Sequence, residues 1–525
     1  MKKIKIMQFL LLTVVLLCTT GCLGDFVELN RNPHEVTDDQ LEAKNYKIGA
    51  QINALEGLVI PVQEHLYQFN ESLTGGPFAG YIGATVDTWR TKFETFNPSA
   101  DWRKWPFANV LTETYAPYRG IVNTTDDEVA VAFANLFRVA IMHRVTDSYG
   151  PIPYSKVIDN PKESILVEYD KQEDVYTTMF EELDKVIDVF GHNVTLPAEA
   201  YNRYDKVYYG NIGQWLKYAN SLKLRLAMRL SYVKPEVAKA KAAEAIAGGV
   251  IAANADNAAM HAPENRTTLV YNDWSDHRVG ADILNYMNGY GDPRREVMFT
   301  KNPKGDYAGI RIGIDVGSKS AAVEYCSNLL VTASTPYLWM NAAEVTFLRA
   351  EYELRWGSAE AARTLYEDAV RLSFEERGAK GAEEYLADNT SKPAVYTDPM
   401  GKYDMKARQS DITIAWEDGG EKFEANLERI ITQKWIALFP LGVEAWSEKR
   451  RTGYPRLLPA IEDKSGGTVD LAQGARRLPY PVEEYQKNGA NLQAAIQRLN
   501  GETQGSRTGD VMGTRVWWDC KPYNN

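Results

Sequence analysis

The stretch WLKYANSLKLRLAMRLS, from Trp215 to Ser231, decides the fold class. Trp215, Ala219, Leu222, Leu226 and Leu230 recur at spacings of 4, 3, 4 and 4, the period of an α-helix that buries one apolar stripe. Lys217, Lys223, Arg225 and Arg229 fall on the opposite side, which reads as a solvated face. Pro235 then opens a second helix, KPEVAKAKAAEAIAGG, that Gly248 and Gly249 close, since proline suits a first turn and glycine a C-terminal stop. The unit is a helical hairpin.

Working outward, the same pattern returns in AAEVTFLRAEYELR, Ala342 to Arg355, where Ala343, Phe347, Ala350 and Leu354 make one stripe. Gly357 and Ser358 form the turn, with Ser358 as N-cap, and Leu365, Ala369 and Leu372 make the next stripe. Small Ala350 and Ala362 permit close approach of the two helices, as in a tetratricopeptide unit. Further helices are expected from Val129 to Val145, from Glu173 to Phe190, and from Asn426 to Glu448. Ala219 and Ala350 hold matching places 131 residues apart, too far for a simple solenoid of about 34-residue repeats. The material at about 254–337 and 453–525, rich in Asn, Asp, Gly, Tyr and Pro, therefore reads as loops inserted into an all-α scaffold, and function is expected on those loops.

With 59 Lys plus Arg against 70 Asp plus Glu, the formal net charge is -11. No broad basic face for nucleic acid is expected. Cysteines stand at 18, 22, 326 and 520, and six histidines are scattered, so no zinc-ligand spacing is present and neither a metal nor a cofactor is expected. Cys326 and Cys520 leave two readings open, a disulfide in an oxidising compartment or two thiols used as small apolar residues.

Lys2, Lys3 and Lys5 precede the apolar run FLLLTVVLLC, Phe9 to Cys18, which has the charge and length of a secretory signal. Residues 1–21 are expected to be a signal peptide, and 22–525 a single mature domain. Thr19-Thr20-Gly21-Cys22 resembles a bacterial lipobox, with Thr19 where an aliphatic residue is usual, so Cys22 is the expected lipid anchor. No later run reaches about 18 consecutive apolar residues.

Several strings now resemble the SusD/RagB family of outer-membrane lipoproteins of Bacteroidetes: RVTDSYGPIPYS (Arg144 to Ser155), the Trp215 and Ala342 strings above, IITQKWIALFPLGVEAWSEKRRTGYP (Ile430 to Pro455) and RRLPYP (Arg476 to Pro481). The resemblance implies an all-α, SusD-like fold of four tetratricopeptide-like helix pairs with a loop-rich remainder. It also implies a non-catalytic lipoprotein of the outer membrane, facing outside, that captures oligosaccharides and delivers them to a SusC-like TonB-dependent transporter. Two alternatives stand beside it: a glycoside hydrolase on a helical scaffold, which requires two carboxylates about 5 to 10 Å apart, and a peptide-binding relative.

Sugar rings stack on aromatic faces while their hydroxyls pair with Asn, Asp, Gln and Arg. Trp215, Trp339, Trp356, Trp435 and Trp446 lie in helical patterns and are expected in the core, which leaves Trp89, Trp102, Trp105, Trp274, Trp416, Trp517 and Trp518. Trp274 has the best surroundings, with Tyr271 as a second exposed platform and Asn272, Asp276 and Arg278 as hydroxyl partners. Trp89, after TGGPFAGYIG, is the next candidate. Trp102 and Trp105 are expected to staple the start of a helix, and Trp517 and Trp518 to dock the tail. His143 and Asp147, the acidic run at 126–128, and Glu181 with Glu182 are expected to be structural, so no catalytic residue is assigned.

Overall fold

A computed structural model describes residues 46–522 apart from 161, 163, 420 and 421. The expected signal peptide and Cys22 lie outside the described residues. The principal helices are α1 (Tyr46–Val59), α2 (Val110–Val122), α3 (Glu128–Tyr149), α4 (Gln172–His192), α5 (Ile212–Arg229), α6 (Pro235–Ala247), α7 (Ala281–Gly289), α8 (Ala342–Trp356), α9 (Ala359–Arg377), α10 (Phe423–Leu438), α11 (Gly442–Thr452) and α12 (Gly489–Glu502). The fold is all-α. Four pairs form the scaffold, α3 with α4, α5 with α6, α8 with α9 and α10 with α11.

Local chemistry sets the ends of these helices. Asp127 caps α3 by accepting from Val129 N at 3.0 Å, which makes the acidic run a helix start, and Ser358 caps α9 by accepting from Ala361 N at 3.1 Å. The expected single helix from Asn426 to Glu448 is two helices. Pro440 lacks an N–H and disfavours helical geometry at Phe439, so the chain turns at Phe439–Leu441 through a cis Phe439–Pro440 bond. The start of α11 lies so close to the helical backbone at Gly75 and Gly76 that a Cβ on Gly75 would stand 2.2 Å from Val443 N, and one on Gly442 2.3 Å from Gly76 N. Only glycines fit there.

Of the solvated face expected for α5, Lys217 stays half-exposed but Lys223, Arg225 and Arg229 are buried, because α4, α6 and α8 enclose them. Arg225 makes a two-pronged pair with Glu344 of α8 (2.7 and 2.7 Å), and Arg229 Nη2 faces both carboxylate oxygens of Glu444 of α11 (2.6 and 2.6 Å) while its other nitrogens reach Asp147 of α3 and Glu448. Arg451 bridges Glu351 (2.7 and 2.6 Å) to Glu448, which also holds Lys434 of α10. One buried network thus ties the pairs together, and its worth lies in fixing their register, since desolvation offsets much of the Coulombic gain.

Trp215, Trp435 and Trp446 are buried as expected, and so is Trp339, though on a strand rather than a helix; Trp356 is only half-buried, against Tyr352. Trp517 and Trp518 dock the tail, with Trp518 Nε1 donating to Asp147 at 2.8 Å. Asp147 therefore orients no imidazole; burial drops His143 to about 4 while its Nδ1 faces Val139 O. Cys326 and Cys520 are free thiols.

Two short antiparallel ribbons organise the loops. Strand β1 (Ile82–Ala84) pairs with β3 (His277–Val279) in the register Ile82 to Val279, Gly83 to Arg278 and Ala84 to His277. Strand β2 (Ala258–Met260) pairs with β4 (Tyr337–Met340). No strand among the described residues exceeds four residues.

Candidate functional site

The β1/β3 ribbon determines the site. Trp89 follows β1 by five residues and Trp274 precedes β3 by three, so the ladder sets side by side two loops that are almost two hundred residues apart in sequence. Two further bonds lock the junction: Thr85 N donates to Asp276 O at 2.9 Å, and Thr85 Oγ1 to Ser275 O at 2.6 Å. Ser275 takes a left-handed φ of 54°, a costly conformation for a residue with a Cβ and one that clusters at functional turns.

Four tryptophans around this junction are half-buried, Trp89, Trp102, Trp105 and Trp274, each packed on the core on one side. Trp89 meets Trp102 edge to face at 5.2 Å and 90°. Trp102 meets Phe69 at 5.5 Å, and Phe69 stacks on Trp105 at 5.2 Å and 6°. Trp274 stacks on His65 at 5.1 Å and 22°. Such rings hold their positions before any ligand arrives, which lowers the entropic cost of binding. Trp102 and Trp105, expected only to staple a helix, thus belong to the same cluster as Trp89. Trp416 does not; it packs on Tyr366 at 5.6 Å.

The polar candidates divide. Asn272 is exposed, its carbonyl accepting from Asn328 Nδ2 at 3.0 Å. Asp276 is half-buried between Lys319 Nζ at 2.8 Å and Gln68 Nε2 at 3.2 Å. Arg278 is a correction: its guanidinium is buried and donates to Tyr271 O and His277 O at 3.3 and 2.8 Å, so it supports the turn and offers little to a ligand. Tyr271 is also a correction. It is 1% exposed, its hydroxyl faces Ser72 Oγ at 2.9 Å, and burial pushes that hydroxyl up to about 12. Tyr271 lies on a single π-helical turn, Leu269–Asp273, that turns Val270 and Tyr271 inward and leaves Asn272 and Asp273 exposed, whatever the polarity of YNDWSD.

Between the buried and exposed aromatics stands His277, whose ring lies 6.2 Å from both Tyr271 and Trp89. Burial lowers it to about 4, with Asp276 opposing and Lys319 and Arg278 assisting. It is therefore neutral at pH 7. Behind it, Tyr271 joins Tyr67, Tyr337 and Met298 in lining a cavity of about 600 Å³ whose rim includes exposed Tyr209, Val297 and Leu330. Sequence reading missed this cavity, because its walls come from segments that share no local pattern.

As chemistry, the platform offers flat apolar faces edged with Asn272, Asp276 and Lys319. The Asp276 carboxylate is engaged by the Lys319 ammonium at 2.8 Å. Glu182, half of the acidic pair considered above, is held by Arg138 and by Tyr154 Oη at 2.5 Å.

Comparison with known proteins agrees with this architecture. A family model described as SusD-like, Susd and RagB outer membrane lipoprotein, matches residues 28–519. A SusD homolog from Bacteroides thetaiotaomicron VPI-5482 is 50% identical, with a TM-score of 0.87 over 91% of this chain and 99% of that one. One from Bacteroides uniformis ATCC 8492 is 41% identical, with a TM-score of 0.85 over 91% and 100%. A chitin-binding SusD homolog from Flavobacterium johnsoniae is 34% identical, with a TM-score of 0.81 over 90% and 98%. None of the curated protein sequences compared with the chain matches it significantly.

Proposed function

Because the chain belongs to the SusD-like family of outer membrane lipoproteins, we propose that it captures oligosaccharides on the tryptophan platform and hands them to a partner TonB-dependent transporter. The observation that carries this reading is the set of half-buried rings around one junction, Trp89 and Trp274 in the loops beside the β1/β3 ribbon and Trp102 and Trp105 on the short helical turns Ala100–Lys104 and Trp105–Asn109. Half-burial is what stacking needs: one face anchors the ring and the other remains for the C–H patches of a sugar. The chitin-binding relative supports a polysaccharide ligand. Anchoring through Cys22, outward orientation and delivery to the transporter are part of the same proposal, supported by the lipobox-like Thr19-Thr20-Gly21-Cys22 and by the family's description as outer membrane lipoproteins.

The role is binding without catalysis. Hydrolysis needs a protonated acid beside a second carboxylate, and Asp276, at the platform's edge, is engaged by Lys319 and Gln68. One observation favours a peptide ligand instead: the cavity behind Tyr271 has an apolar rim of Tyr209, Val297 and Leu330. A screen of the purified mature protein against immobilised polysaccharides and a random peptide pool decides between them. Binding to a polysaccharide, with the sugar recovered intact, is expected; binding to peptides alone, or release of shortened sugar, refutes the proposal.

A further inference from the structure

A cavity of about 450 Å³ opens where the end of α11 meets the start of α10 and the C-terminal segment, and its walls include Gln409, Glu424, Lys449, Arg450, Arg456 and Lys521. The chain as a whole carries a net charge of -11, yet the described residues of this wall set four cations against one carboxylate. The cations are unequally satisfied. Lys521 pairs with Glu424 at 3.0 Å, and Arg456 lies 3.7 Å from Glu428 outside the lining. Lys449, 8% exposed, spends one N–H on Gln473 O at 3.2 Å. Arg450 is fully buried and donates to neutral oxygens, Asp147 O at 2.6 Å, Arg476 O at 2.8 Å and Ser447 Oγ at 2.9 Å.

Among the described residues, neither Lys449 nor Arg450 has a carboxylate within ion-pair distance, whereas buried charges are ordinarily paired. Burial lowers Arg450 to about 9, with Asp147 and Asp519 opposing and Arg476 and Arg229 assisting, and its guanidinium lies over the Trp446 ring at 3.6 Å. A position in the last turn of α11 accounts for favouring Lys449 and Arg450 there through the helix dipole. It does not account for Arg456 and Lys521 around the same space. Low-dielectric walls focus the resulting positive potential into the cavity.

We propose that this cavity binds a small organic oxyanion, a carboxylate or sulfate carried on a sugar-sized body, with Lys449, Arg456 and Lys521 as its cationic contacts. A volume of about 450 Å³ lies in the range of about 300 to 1,000 Å³ typical of small-molecule sites and exceeds the need of a bare inorganic ion. The site is separate from the tryptophan platform and stands whether or not sugars bind there.

The probes are glucuronate, glucose as the neutral control, and inorganic sulfate as competitor, titrated calorimetrically into the mature protein at low salt. Glucuronate is expected to bind where glucose does not, and sulfate to displace it. Lys449→Gln should weaken glucuronate by about tenfold or more and Arg456→Ala by about threefold to tenfold, as charge-assisted bonds of this kind imply, while Trp274→Ala leaves it unchanged. Arg456 is nearly half exposed, so its truncation keeps the test valid if Lys449→Gln misfolds. Equal heats for glucuronate and glucose, failure of sulfate to compete, or wild-type glucuronate affinity in a folded Arg456→Ala, Lys521→Ala double variant would each overturn the proposal.

Discussion

Truncating Trp274 to alanine separates a binding ring from a packing ring. In the folded protein its indole lies at 5.1 Å and 22° on the imidazole of His65, with its other surroundings only partly closed. Loss of that stack costs about 0.5 to 1.5 kcal/mol beyond burial, and the half-buried area adds a similar amount, so stability should fall by about 1 to 3 kcal/mol. A core tryptophan such as Trp215, which is fully buried, costs about 3 to 5 kcal/mol on the same change. Affinity for the bound polysaccharide should fall by about 2 kcal/mol, roughly thirtyfold, the loss expected of a central aromatic anchor. Calorimetric titration and a denaturant melt on one preparation read both quantities. Unchanged affinity with a stability loss above about 3 kcal/mol would refute the platform and make Trp274 a packing residue. The same pair of measurements on Trp89→Ala should show the same separation, since its ring also has one packed edge, against Trp102.

Three other outcomes are expected. Ala350, fully buried on α8, has no room for a larger side chain, and Ala350→Leu should cost about 1 to 3 kcal/mol in a thermal melt; an unchanged melt would show that α8 and α9 do not meet at this residue. The buried network predicts acid sensitivity: burial alone would raise Glu351, but Arg451 and Arg355 override it and hold it at about 2. A carboxyl so depressed contributes its stability above the unfolded value near 4.5 and loses it as pH falls toward 2, worth about 3 kcal/mol; Glu344, raised by burial, works the other way and narrows the net loss. Glu351→Gln should flatten the stability profile between pH 5 and 2, and parallel profiles would count against the pairing. Finally, Cys22→Ala should release the protein from the membrane fraction, and retention through detergent-free washing would count against the anchor.

The helices were legible because their period is local: Trp215, Ala219, Leu222 and Leu226 recur within one turn or so of each other, and Ser358 and Gly248 mark ends with their own backbone preferences. The family strings carried the fold class and the helix pairing. What the sequence could not hold was anything decided by neighbours distant along the chain. Arg225 and Arg229 look like surface charges until α8 and α11 bring carboxylates to them. Tyr271 and Trp274 stand three residues apart in one polar loop, yet one is sealed and the other half-open, because a single π-helical turn and the left-handed Ser275 set their directions. Pairing of β1 with β3 places Trp89 beside that loop, and so brief a ladder leaves no alternation to read. Composition and period determined that there would be a helical scaffold bearing aromatic loops; only tertiary contact selected which rings meet and which charges are buried, since burial is a property of the folded neighbourhood and not of the residue.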